Sequence, residues 1–377
     1  MRAAQPPSTS ALFGSWEYMS VSRALAELQA LRPVQVNAFG ETLFVLPVEG
    51  LDDQRLAEFV SLCRPETPHL IITKQRALAI GANGAASALV LQLPEGFDSK
   101  DVLELVAARK SRIAATTRVA GSAAAAAIRL IKLSRGLPAI LAANMTGHGI
   151  EPDRPIVEVH ARAVDRFAAD AVRSLSVASD AIVPLTSGIA ARFIIFRDAT
   201  GADQVAIIVG KPDFAQPVPV RLHSACLTGD VFGSRRCDCG DQLALALTRL
   251  EDLGGGVILY LAQEGRGLGL ANKMRAYRLQ DEGLDTLDAN TTLGFDDDER
   301  DYGIAARMLQ MLNCSQILLL TNNPAKLDGL TQAGIEISAR IPLEAPINPH
   351  NRRYLSTKAA RSGHQLFNLK ALTAEKS

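Results

Sequence analysis

Residues 226–239 read CLTGDVFGSRRCDC and hold Cys226, Cys237 and Cys239, three of the five cysteines in a chain of 377 residues. A disulfide between positions as close as 237 and 239 is strained. Converging thiolates, by contrast, are soft ligands that suit zinc. Structural zinc sites close with four protein ligands, whereas catalytic sites leave a position for water. Cys63 and Cys314 lie far off in sequence. The trio therefore predicts an open site, with His223 the residue that would close it into a structural one. The helix expected over GDQLALALTRLEDL starts immediately afterwards, and its N-terminal dipole favours ionised thiols. Activated water there suits attack on an electron-poor ring carbon. The spacing is not the H-x-E and P-C-x-x-C of the zinc deaminases.

Downstream of the trio, the pattern alternates. GGGVILYLA (from Gly254) and QILLLT (from Gln316) predict apolar strands. LGLANKMRAYRLQDEG predicts a helix closed by Gly283, and ERDYGIAARMLQMLN a helix from Glu299. NPAKLDGLTQAG predicts a helix with Pro324 in its first turn, and IEISARIP another strand. Strand, helix, strand in this order implies parallel pairing. QEGRGLG and TNNPAK follow strands and precede helices, the end at which open α/β sheets bind ligands. Glycines there admit phosphate to the backbone, and Arg266 and Lys326 add positive charge.

Upstream, ARFIIFRDATGADQVAIIVG predicts two strands turning at Thr200 and Gly201. ARAVDRFAADAVRSLSVAS predicts a helix entering this half, and NMTGHGIEPDRPI a linker containing His148. Before it, SRALAELQAL and SKDVLELVAARKSR predict helices, the second capped by Ser99, and ETLFVLPV and SALVLQLP predict strands. Cys63 and His69 read as packing residues. The expected layout is a tail at 1–20, an α/β domain at 21–145, a linker and helix at 146–170 and a catalytic domain at 171–377.

The 40 basic and 40 acidic residues cancel, so nothing global points to a nucleic-acid or membrane partner. An odd, small number of cysteines does not make a disulfide scaffold, and no signal-peptide core opens the chain. Arg129, Lys132 and Arg135 interrupt the longest apolar run. These features predict a cytoplasmic protein.

RLHSACLTGD, RCDCGDQL, QEGRGLGLANKMRAY, DANTTLGFDDDERDY and LLTNNPAK together resemble the GTP cyclohydrolase II family, over about Ser179 to His364. The resemblance implies an α/β protein of mixed elements in two domains, the second with that family's fold. It implies hydrolysis of GTP to a diaminopyrimidinone ribosyl phosphate with release of formate and pyrophosphate, the opening step of riboflavin synthesis. It implies one zinc per chain on Cys226, Cys237 and Cys239, magnesium with the triphosphate, and a homodimer. Activated water would attack C8 of guanine, with Tyr277 near it. Asp298 matches a proton acceptor and Arg300 a nucleophile toward the α-phosphate. Arg221, His223, Ser224, Gln242, Glu264, Gly265, Arg266, Thr286, Thr321 and Lys326 match substrate-binding positions.

Simpler roles stand beside these. Guanidinium is almost never deprotonated, so Arg300 can instead clamp charge on phosphorus. DDDER also reads as a solvated helix start, Tyr277 as a packing residue, Gln242 as a surface residue and Thr286 as a cap. The family commonly has an acid just before the first zinc cysteine, where this chain has Ala225. That departure leaves two further readings open: a GTP-binding protein without turnover, and a hydrolase of another nucleotide. The stretch AAIRLIKLSRGLPAILAANM is similar to dihydroxybutanone-phosphate synthase, but VNAFGETLFVLPVEGLDD lacks that family's acidic metal loop. The first domain is thus expected to be degenerate and without synthase activity.

Overall fold

Apolar residues at helical spacing start the described chain. Tyr18, Val21, Leu25 and Leu28 share one face of α1 (Trp16–Gln29) and bury in the first core. That burial overrides the expected tail, which can extend no further than residue 15. The computed structural model describes residues 14–82, 84–111, 116–145, 156–198, 200–361 and 363. Packing divides the chain into two units: residues 1–170 with 274–298, and residues 171–273 with 299–377.

In the first unit, β1 (Val34–Ala38) and β2 (Glu41–Pro47) form a hairpin in which Val36 pairs with Leu43. Then follow α2 (Asp53–Cys63), β3 (His69–Thr73), α3 (Lys74–Ala79), β4 (Ala88–Leu91), α4 (Ser99–Ala107), β5 (Thr117–Val119), α5 (Ser122–Leu133), β6 (Ala139–Asn144), β7 (Val157–His160) and α6 (Ala161–Ser174). The seven strands form one sheet in the order β5-β4-β3-β6-β2-β1-β7. Side chains alternate across it. Leu43 and Val45 join α1 and α5 in one core, while Phe44 on the opposite face stacks on Phe59 of α2 at 5.4 Å. Buried Ala123, Ala124, Ala126 and Ala127 give α5 a flat face against the sheet.

Three expectations change in this unit. The cap of α4 is Asp98, whose carboxylate accepts from Asp101 N, while Ser99 is the first helical residue. Residues 157–160 are not linker: β7 pairs in parallel with β1. Residues 274–298, expected in the catalytic domain, pack with the first unit. His148 and residues 146–155 of the expected linker lie outside the described residues.

The second unit begins with β8 (Ser176–Pro184), β9 (Ala190–Arg197), β10 (Asp203–Gly210) and β11 (Val218–Ser224). SVAS is thus strand, not a continuation of α6; its residues pair with β9. Next come α7 (Cys239–Asp252) and β12 (Gly255–Leu261); α8 (Leu270–Asp281) and α9 (Thr286–Thr292) follow, mostly and wholly in the 274–298 segment of the first unit, and the second unit resumes with α10 (Gly303–Met311), β13 (Gln316–Leu320), α11 (Pro324–Gln332), β14 (Glu336–Ile341) and α12 (Arg352–Arg361). The sheet order is β14-β13-β11-β12-β10-β9-β8. Its β14, β13, β11 and β12 are parallel, as the strand–helix–strand pattern implies, and β10 and β9 continue it antiparallel. Met308 and Leu309 of α10 and Leu330 of α11 cover one face beside Val220 and Leu222. Ala246 and Leu250 of α7 cover the other beside Ile207 and Ile258. Helix α10 starts at Gly303, not Glu299, so Asp298 and Arg300 sit in the preceding loop. Among the described residues, no helix is long and apolar enough to cross a membrane.

Candidate active site

Three parallel strands of the second unit end side by side, and each end leads into a block singled out in the sequence. Ser224 at the end of β11 pairs with Leu261 at the end of β12, and Val220 pairs with Leu319 of β13. The three strands run on to Cys226, to the Glu264–Gly267 turn, and to Thr321 and Lys326. This is the ligand-binding end of an open parallel sheet.

Beyond β11 the chain curls through a π-type turn, Leu227–Val231, that returns Asp230 to Cys226. Cys237 precedes α7, and Cys239 is its first residue. The three Sγ atoms lie within 4.8 Å of one another, with Cys226 and Cys237 at 3.7 Å. Gly229 makes this convergence possible. A Cβ there would lie 2.8 Å from Cys237 Sγ, 3.0 Å from Cys226 Sγ and 3.0 Å from Cys239 Cβ. Hydrogen bonds from Cys237 and Cys239, and the Lys273 ammonium, hold the Cys226 thiol far below its ordinary range. The same bonding raises Cys237 and Cys239. Three converging sulfurs, one with pronounced thiolate character, form a donor set that fits a soft metal ion.

Charged groups brace this trio. Lys273 Nζ donates to Cys226 Sγ and Thr228 Oγ1, each at 3.0 Å, and to Glu264 Oε1 at 2.8 Å. Glu264 also accepts from Leu227 N at 2.7 Å and Gly265 N at 3.0 Å. Asp230 accepts from Cys226 N at 2.9 Å, from Tyr260 OH at 2.9 Å, and lies 3.1 Å from His223 Nε2 through both oxygens. Burial lowers the His223 pKa, which keeps the ring neutral near pH 7, although Asp230 opposes the shift. The His223 ring stacks on Tyr260, its partner on β12, at 5.5 Å. His223 thus engages Asp230, and the ligand cluster among the described residues comprises the three cysteines alone.

The anticipated binding residues are placed as follows. Arg221 is buried on β11 and donates to Leu320 O at 3.1 Å and to Gln242 Oε1. Burial brings its pKa down to about 10, still cationic at neutral pH. Gln242 in turn donates to Asp238, so it is not a free surface residue. Ser224 is half-buried at the strand end. Gly265 and Arg266 both adopt left-handed backbone, with φ of 62° and 63°. For arginine this conformation is strained, a feature that clusters at functional sites. Gly267 seats the turn on the backbone of Glu299: a Cβ there would lie 2.9 Å from Glu299 C. Thr321 is buried and accepts from Asn323 N at 3.0 Å. Lys326 is buried and donates to Leu222 O at 2.7 Å. The Arg300 guanidinium lies 5.8 Å from the centre of the Tyr302 ring.

Tyr277 on α8, Thr286 on α9 and Asp298 belong to the segment grouped with the first unit. Thr286 does not cap α9. Asp285 does, accepting from Leu287 N and Asp288 N. Sequence reasoning missed Asp230 and Lys273. Both stood inside quoted motifs, and the signal was a charged residue among apolar and glycine neighbours, where a surface role is poorly supported.

Comparison with known proteins gives the chain's relatives. The family model of GTP cyclohydrolase II matches residues 177–342. A protein of Xylella fastidiosa named GTP cyclohydrolase-2 is 40% identical over 358 residues, 94% of this chain and 89% of its own length. A protein of the same name from Azotobacter vinelandii is 51% identical over 187 residues, 50% of this chain and 90% of its own. The riboflavin biosynthesis protein RibBA of Porphyromonas gingivalis is 51% identical over 180 residues, 48% of this chain and 44% of its own.

Proposed function

The chain belongs to the GTP cyclohydrolase II family of hydrolases, and on that premise we propose that it converts GTP to a diaminopyrimidinone ribosyl phosphate for riboflavin biosynthesis, using zinc held by Cys226, Cys237 and Cys239. The supporting observation is the sulfur cluster at the ends of parallel strands. Zinc–thiolate bonds of about 2.3 Å in a tetrahedron place sulfurs about 3.8 Å apart, and Cys226 and Cys237 stand at 3.7 Å. With three protein ligands, zinc supplies a Lewis acid that brings water toward ionisation near neutral pH.

The chain's own residues do the rest. Asp230 fixes the Cys226 backbone, and Lys273 orients and charges the Cys226 sulfur. Such outer partners set ligand orientation. Arg221 is aimed by Gln242 and, with Arg266, Arg300 and Lys326, supplies cationic charge for a triphosphate. Arg300 acts as a charge clamp, since guanidinium stays protonated. Asp298 takes a proton and Tyr277 orients the attacking water. Magnesium would accompany the triphosphate of the substrate, a normal mode for that ion. A cytoplasmic homodimer and a first unit without synthase activity complete the reading.

Incubating the purified protein with GTP, zinc and magnesium and measuring formate and pyrophosphate separately tests the proposal. Release of both is expected. Neither product would leave a binding protein, and pyrophosphate alone would leave phosphoryl chemistry without ring opening.

A further inference from the structure

Segment 286–298 carries Thr286 and Asp298 and ends two residues before Arg300. The remainder of the first unit grips it at successive points. Thr73 Oγ1 donates to Gly294 O at 2.7 Å, and Arg76 donates to Thr292 O at 2.7 Å. The same guanidinium donates to Leu105 O at 2.6 Å and to Ala108 O and Glu104 O, each at 2.9 Å, around the end of α4. Thr73 Oγ1 also accepts from Arg76 N at 3.2 Å, so one short turn makes both grips. Asp296 meets Lys132 at 3.3 Å and Gln75.

The energetics make this more than contact. Arg76 is 0% exposed, and burial brings its pKa down to about 10, so it stays charged at neutral pH. All four of those partners are neutral carbonyls. A buried cation is tolerated only when its donors are taken, so moving Thr292 away would leave a charged N–H without its acceptor. Gly294 has φ of +91°, and a Cβ there would lie 2.9 Å from Thr73 Oγ1, 3.0 Å from Pro138 Cγ and 3.3 Å from Arg76 Cβ. The segment thus has one close-fitting seat, built by residues of the half without an assigned reaction.

We propose that the first unit is a positioning device for the hydrolase: Thr73 and Arg76 fix the conformation of segment 286–298 and with it the working placement of Thr286 and Asp298. The inference rests on the reading of those two as residues of the GTP reaction. Thr73 and Arg76 are positioning residues and touch no substrate.

The test uses the full chain with Thr73→Val, which keeps shape and removes the hydroxyl, Thr73→Ser, which restores it, and Arg76→Leu. Hydrogen exchange of the 287–298 amides, zinc content, and kcat and KM for formate release are measured. Thr73→Val is expected to speed exchange in the segment about tenfold and lower kcat about tenfold. KM should rise with the lost placement of Thr286, zinc content should change less than about twofold, and Thr73→Ser should match the parent throughout. If Arg76→Leu fails to fold, the threonine pair still decides. Exchange unchanged in Thr73→Val, or a loosened segment with full kcat, overturns the proposal. A parent chain that releases no formate refutes the functional reading instead. The exchange comparison then still judges the grip: loosening restored by serine supports it, and no loosening overturns it.

Discussion

Asp230 and Cys226 hold each other twice: the carboxylate accepts from Cys226 N at 2.9 Å, and Asp230 N donates to Cys226 O at 2.7 Å. The carboxylate also ties in His223 from β11 and Tyr260 from β12. One acid therefore sets the first sulfur against two strands. Asp230→Asn replaces an acceptor by an NH2 that faces donors. Metal affinity is expected to fall about 10- to 100-fold, read by competition with a chromophoric chelator, while the far-ultraviolet circular dichroism stays that of the parent.

Gly229→Ala should uncouple metal binding from folding. The added carbon meets two sulfurs and a cysteine Cβ at 2.8–3.0 Å. Two of these contacts are the ends of cysteine side chains, so the added carbon is relieved by turning the sulfurs away, which takes the donor set apart. The protein is expected to fold and to purify without stoichiometric zinc, as measured by elemental analysis.

Lys273→Met keeps most of the side-chain length and removes the ammonium. Glu264, partnered with it at 2.8 Å with both side chains about nine-tenths buried, is then left without its counter-charge. Breaking such a pair costs about 3 kcal/mol. Urea unfolding should show that loss. Lys273→Met combined with Glu264→Gln should recover part of it, which a simple packing defect would not.

His69 adds a pH dependence to the first unit. Burial, aided by Arg118, brings its pKa down to about 4, against about 6.5 in an unfolded chain. The unfolded state therefore binds more protons between those values. The stability contribution is full above about pH 6.5 and is lost as pH falls toward about 4, at up to about 1.4 kcal/mol per pH unit. His69→Gln should flatten that slope in denaturant melts between about pH 6.5 and 4.5.

The parallel core of the second unit was legible because its strands are short apolar runs bounded by helix caps: Gln316–Leu320, then Pro324 starting α11 with Asn323 as cap. The sulfur trio was legible because thiols at 226, 237 and 239 have few uses in a chain with five. Asp230 and Lys273 were not, since their partners come from strands and loops up to 47 residues away. Strand β8 was hidden because all nine residues are exposed, so no alternation marks it. The grouping of 274–298 with the first unit depends on contacts spanning more than 200 residues, such as Thr73 to Gly294. Periodicity carries no signal over that range.

X-ray absorption at the zinc edge of the metal-loaded protein tests the centre of the account most directly. Three sulfurs at about 2.3 Å and one oxygen donor at about 2.0 Å are expected. A fourth protein ligand, such as an imidazole from His223, or a metal that ignores the three sulfurs, would contradict it.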